Sequence, residues 1–137
     1  MEKDDIIEDH EGPAPWIANL VLAPKDDGST RITLDMRQAN AAIKPTNLPI
    51  PRPEHISSKL ANNTVFSKLD LRSAFHQLLL DEDSKQFAVF HAGNKLMRYK
   101  RLIMGCTPAS GELNKALQPL FRNIENIHII QDDIIVA

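Results

Sequence analysis

Apolar and polar residues alternate along much of this chain with the two-residue period of half-buried strands. IANLVLA (17–23) and RITLDM (31–36) read as two strands, and the PKDDGS between them carries Asp27-Gly28, a strong tight-turn signal. An antiparallel hairpin with a charged tip follows. Prolines 45, 49, 51 and 53 in KPTNLPIPRP exclude a helix interior and predict an extended connector, with Pro53 opening a short helix over residues 54–60. TVFSKLD (64–70) reads as a strand ending on a carboxylate, followed by the helix-prone LRSAFHQL (71–78) and the acidic turn LLLDEDSK. Two strands at 87–91 and 96–102, joined through AGN, predict a second hairpin. Leu113, Leu117 and Leu120 share a helical spacing in residues 108–124, where Pro119 should kink or break the helix late. IHIIQDDIIVA (127–137) closes the series as a hairpin with Gln-Asp-Asp at its apex. The pattern predicts an α+β fold of antiparallel strands packed on helices.

Composition narrows the class. At 137 residues, 42% apolar and 25% charged, the chain fits one globular domain and not a disordered, collagen-like or coiled-coil protein. No apolar run is long enough to span a membrane, and the acidic start MEKDDIIEDHEG is unlike a targeting peptide, so a cytoplasmic or nuclear location with no membrane partner is expected. Cys106 is the single cysteine, which excludes an internal disulfide and a cysteine zinc cluster. Charge is unevenly placed. Six acids against Lys3 in residues 1–11 predict a disordered acidic tail over 1–12, ahead of one domain over 13–137. The remainder holds 15 basic and 12 acidic side chains, including Lys95, Arg98, Lys100 and Arg101 on the second hairpin, a stretch able to touch phosphates or to form a solvated strand face.

The residues that draw attention chemically are carboxylates. Asp70 at a strand end and Asp132-Asp133 in a hairpin turn are remote in sequence but able to meet on adjacent strands. Hard divalent cations prefer such oxygens, and two ions about 4 Å apart can activate a 3′ hydroxyl and stabilise a leaving pyrophosphate. Each piece alone has a plainer reading, the pair as a solvated turn and the strand-ending Asp as a helix cap.

Five regions in order carry a resemblance. APWIANLVLAPKDDGSTRITLDMRQAN (14–40), NLPIPRPEHI (47–56), FSKLDLRSAFHQLLLDE (66–82), residues 88–114 and IQDDII (130–135) resemble the successive regions of retroviral and gypsy-type long-terminal-repeat retrotransposon reverse transcriptases. These include the family's FSxLDLxSGYxQIPLDE region and its YxDDIL box. The resemblance implies a fingers hairpin and partial palm, and an RNA-directed DNA polymerase within a retrotransposon Pol polyprotein. It implies two Mg2+ ions, with Mn2+ as a substitute, held by Asp70, Asp132 and Asp133. Deoxynucleoside triphosphates and a primed RNA or DNA template would be its reactants. Lys25 and Arg31 match residues that contact the triphosphate, and Phe75 the aromatic that abuts the sugar. Gly105 matches the glycine whose missing side chain lets backbone approach the nucleotide or template, and Met104 beside it occupies a position where the family has Phe or Gln. Asp35, Arg37 and Asn40 match the DxRxxN signature of the fingers, where the first two brace fingers against palm and the Asn shapes the template path.

The chain departs from the pattern at Ile130, where the family has Tyr, at Asp26, where it has a second lysine, and at Pro108-Ala109-Ser110, where NAP is usual. It is also expected to be truncated after the Asp-Asp hairpin, with thumb and RNase H supplied by the rest of the polyprotein. The alternative reading is a catalytically inactive, truncated or domesticated remnant that binds nucleic acid or a protein partner.

Overall fold

The first two strands, β1 (Ile7–Asp9) and β2 (Leu20–Pro24), belong to different sheets. The computed structural model describes residues 1, 3–24, 28–44, 56, 60, 61 and 63–137. They fall into two units, one of Met1–Lys44 with Phe75–Ala109 and one of Pro45–Ala74 with Ser110–Ala137. The elements are antiparallel strands and short helices, the α+β class that the pattern predicts.

In the first unit β2 pairs with β3 (Thr30–Leu34), Leu20 opposite Leu34 and Pro24 opposite Thr30. Gly28 has φ +78°, the backbone freedom that the turn needs, although Lys25 and Asp26 lie outside the described residues. Helix α1 (Arg37–Ala42) follows directly. Asp81 accepts from Ser84 N at 2.7 Å and so caps the one-turn helix α2 (Glu82–Lys85). A second hairpin pairs β5 (Val89–Ala92) with β6 (Lys95–Tyr99) around Gly93-Asn94, with Gly93 at φ +64°. The core is Ala18, Leu34, Met36, Ala39, Ala88, Phe90, Met97, Tyr99 and Ile103. Phe90 and Tyr99 stack at 5.6 Å and 51° in its centre, so Phe90→Ala should cost about 3–5 kcal/mol.

The expected acidic tail is corrected by the structure. Ile7–Asp9 is a strand paired antiparallel with β6, making the three-stranded order β1-β6-β5. The ladder continues on both sides, through Lys100 N to Ile6 O at 2.9 Å and His10 N to Leu96 O at 3.0 Å. Two forces hold it. Ile6 and Ile7 pack against the core, and the flanking carboxylates meet the basic residues of β6 and its continuation. Glu8 lies 2.7 Å from Arg98 and 3.5 Å from the nearly buried Lys85, Asp9 lies 2.6 Å from Lys95, and Asp5 bonds Lys100 and Arg101. The four basic residues singled out as a phosphate-contacting stretch are therefore paired within the chain.

The helix expected over 71–78 is also corrected. Only a 3-10 turn, Ala74–Gln77, forms there, after Ser73 at φ +51°. The chain is then drawn into a ladder with the segment after β6, through Leu80 N to Lys100 O and Leu102 N to Leu78 O, at 2.8 and 2.9 Å. Backbone pairing there wins over local helix propensity.

In the second unit the strand order is β4-β8-β7, from β4 (Ser67–Asp70), β7 (Ile127–Ile130) and β8 (Asp133–Val136), all antiparallel. Helix α3 (Ala109–Phe121) buries Leu113 and Leu117, four apart on one face. Leu120, expected on that stripe, is 69% exposed, and the helix runs through Pro119 to end two residues later. The proline-rich connector lies outside the described residues. Of the helix expected over 54–60, Ile56 and Leu60 are described, both with helical backbone and Ile56 buried.

Candidate active site

Strand register brings the carboxylates together. Asp70, the last residue of β4, is the antiparallel partner of Asp133, the first residue of β8, and Ile130 opposes Asp133 on the other side. Side chains so opposed have Cβ atoms about 4.5–5.5 Å apart. Gln131 and Asp132 form the two-residue turn of the β7–β8 hairpin, so Asp132 is the apex carboxylate and Asp133 belongs to the strand. The Asp132 carbonyl accepts from Leu71 N at 3.1 Å, which ties the turn to the residue after Asp70. Gln131 carries the strain of the turn, at φ +56° without being glycine.

Sequence reasoning gave Lys68 no role. Its Nζ lies 2.8 Å from Asp133 Oδ2, and this bond pushes the lysine pKa up, with smaller contributions from Asp70 and Asp132. The signal was available, because residues i and i+2 of a strand share a face and so place Lys68 beside Asp70. Three aspartates on adjacent strand ends are the right donors for a hard divalent cation. In the present side-chain arrangement, however, no three His, Cys, Asp or Glu among the described residues converge as a metal-binding group. Asp133 is turned to Lys68 instead.

A second group of expected residues meets within the first unit. Arg31 Nη1 reaches Met104 Sδ at 3.9 Å, and Thr33 Oγ1 donates to Met104 O at 3.1 Å. Asn40 donates to Gly105 O and accepts from Thr107 N, both at 2.8 Å, bracketing the loop whose Gly105 has φ +90°. A side chain at that φ would be strained. Asp35 and Arg37 join each other through a forked pair, at 2.7 Å for its shortest bond. That bond holds the Asp35 carboxyl down to about 2. The pair is local, and Arg37 is 89% exposed. Phe75 is half-buried in the 3-10 turn, its carbonyl accepting from Leu78 N at 3.2 Å. Lys25 lies outside the described residues.

Residues 23–137 match the reverse transcriptase (RNA-dependent DNA polymerase) family. The chain belongs to that family. Relatives of this reverse transcriptase domain include the retrovirus-related Pol polyprotein from transposon 412 of Drosophila melanogaster, 32% identical across 98% of the chain. An uncharacterized protein of Caenorhabditis elegans is 32% identical across 90% of it. The chain spans 11% of the length of the transposon 412 polyprotein and 10% of that of the C. elegans protein. Its fold is similar to that of the prototype foamy virus protease-reverse transcriptase, with a TM-score of 0.89, 21% identity, and coverage of 99% of this chain and 18% of that one. The fingers-palm architecture implied by the sequence motifs is thereby confirmed. Among the described residues, no helix of this reverse transcriptase domain is long and apolar enough to cross a membrane.

Proposed function

We propose that this domain contributes fingers and palm to an RNA-directed DNA polymerase of a retrotransposon Pol polyprotein, adding deoxynucleotides to a primer 3′ end. The observation that carries the reading is the register pair Asp70–Asp133 with Asp132 on the adjoining turn. Asp70 and Asp132 would hold two Mg2+ ions, or Mn2+, with Asp133 in support. Held there, the ions would supply Lewis-acid activation of the primer hydroxyl and charge neutralisation at the departing pyrophosphate. The bond formed is from the primer 3′ oxygen to the α-phosphorus, and the bond broken joins that phosphorus to the pyrophosphate.

The remaining residues position. Arg31 and Lys25 would supply charge-assisted bonds to the triphosphate. Phe75 would set its ring against the sugar, where a 2′ hydroxyl clashes. Met104 and Gly105 would lie along the nucleotide, presented by the Asn40 bracket, while Asp35 and Arg37 would brace the fingers and Asn40 would help shape the template path. Positioning dominates phosphoryl transfer, so the thumb and RNase H segments of the polyprotein and the primed template are its expected partners.

Primer extension on poly-rA with oligo-dT tests the reading. Mg2+-dependent incorporation is expected from the chain and its loss in Asp132→Asn. No extension by folded protein, or extension that survives Asp132→Asn, would overturn it.

A further inference from the structure

Lys68 and Asp133 are diagonal neighbours across β4 and β8, since Lys68 opposes Ile135 and Asp70 opposes Asp133. A diagonal of this kind is within reach of a long side chain. The lysine uses that reach to place its ammonium 2.8 Å from Asp133 Oδ2, on the face where Asp70 also projects. Asp133 is the carboxylate that the lysine contacts, and Asp70 stands opposite Asp133 in register. An ion pair this exposed contributes little to stability, so the interest of the contact lies in what it does to Asp133.

We propose that Lys68 is a positioning residue that withholds Asp133 from divalent metal, leaving Asp70 and Asp132 as the metal-binding carboxylates. The proposal rests on the metal site of the preceding subsection and goes beyond it by making the ligand set depend on a neighbouring cation. Its physical content is a competition. The ammonium neutralises one carboxylate and repels an incoming dication, and a metal that recruits Asp133 must first break the ion pair. The domain thus keeps one of its three carboxylates paired when metal is absent, and the order in which carboxylates engage metal is set by one side chain.

Mn2+ binding to the full 137-residue chain, followed by the electron paramagnetic resonance of free Mn2+, tests this. Lys68→Met should bind Mn2+ about three- to tenfold more tightly, because one repulsive charge is lost and one carboxylate is gained. Lys68→Arg should behave as the parent. In an Asp133→Asn background the gain from Lys68→Met should shrink below about twofold. Circular dichroism of each variant confirms folding, and Lys68→Gln serves if Lys68→Met aggregates. Unchanged or weaker Mn2+ binding in folded Lys68→Met overturns the proposal, as does an undiminished gain without Asp133. If the parent chain binds Mn2+ but only the lysine variants fail to differ, the metal site stands and this inference falls. If the parent binds none, or binding ignores Asp70→Asn, both fall.

Discussion

Glu8 and Arg98 face each other as register partners across β1 and β6, and their side chains close that register with a contact of 2.7 Å. Glu8 also reaches Lys85, whose ammonium bonds Glu82 at 2.5 Å, so one carboxylate joins a strand, a hairpin and a capped helix. Removing its charge should therefore loosen more than one pair. Glu8→Gln is expected to lower stability by about 1 kcal/mol, and the loss should diminish in high salt. Urea unfolding at two ionic strengths measures both. A salt-independent loss would assign the effect to packing.

Tyr99 is the one tyrosine of the chain, 1% exposed, and burial pushes its phenol up to about 12. In the unfolded chain a tyrosine ionises near pH ~10. The neutral phenol is favoured by the fold, so its contribution to stability is complete below the unfolded value and is lost as pH rises from there toward the folded one. Tyrosinate absorbance should stay low until about pH 12 or until alkaline unfolding intervenes, whichever comes first. Ionisation at the ordinary value in folded protein would show that the hydroxyl, which donates to Ile32 O at 3.3 Å, is reached by solvent.

The Asn40 bracket depends on one donor and one acceptor from the same amide. Asn40→Asp keeps the acceptor and loses the donor to Gly105 O, whereas Asn40→Leu loses both. The expected losses are about 1 kcal/mol for the first and about 2–3 for the second. Thermal melts give the order, and equal losses would mean that the Gly105 bond carries the bracket alone.

Gln131 at positive φ implies stored strain in the turn that presents Asp132. Gln131→Gly should stabilise the domain by about 0.5–1 kcal/mol, and Gln131→Val should destabilise it by more than that. Chemical denaturation midpoints decide. A destabilised glycine variant would show that the Gln131 side chain contributes more than its backbone costs.

Both hairpins, the strand before Asp70 and the Asp-Asp turn were legible because each has local punctuation, Asp27-Gly28, Gly93-Asn94 and two apolar runs around Gln131. β1 was not. Its apolar content is Ile6 and Ile7, its partners lie some 90 residues further along, and six acids in so short a segment look like a solvated tail until four cations are found opposite. LRSAFHQL misled for the complementary reason, since its helix propensity is local and the ladder with residues 100–102 is not. At the candidate site, motif matching named Asp70, Asp132 and Asp133, which register brings together, and Arg31, Met104, Gly105 and Asn40, which hydrogen bonds bring together. It passed over Lys68, whose i, i+2 spacing places it beside Asp70 but whose contact with Asp133 follows only from the register of β4 and β8.

The outer position of β4 has a practical consequence. Among the described residues β4 pairs on one side only, and around it Val65, Phe66 and Leu69 are 77%, 51% and 54% exposed. A bare strand of this kind is a template for stacking with its own copies, and what discourages that are the two charges it carries, Lys68 and Asp70. Lys68 and Asp70, the residues given roles at the proposed metal site, would thus also guard the sheet against stacking. An Asp70→Asn protein should self-associate at concentrations where Asp132→Asn does not, which makes the turn aspartate the cleaner position at which to silence the domain.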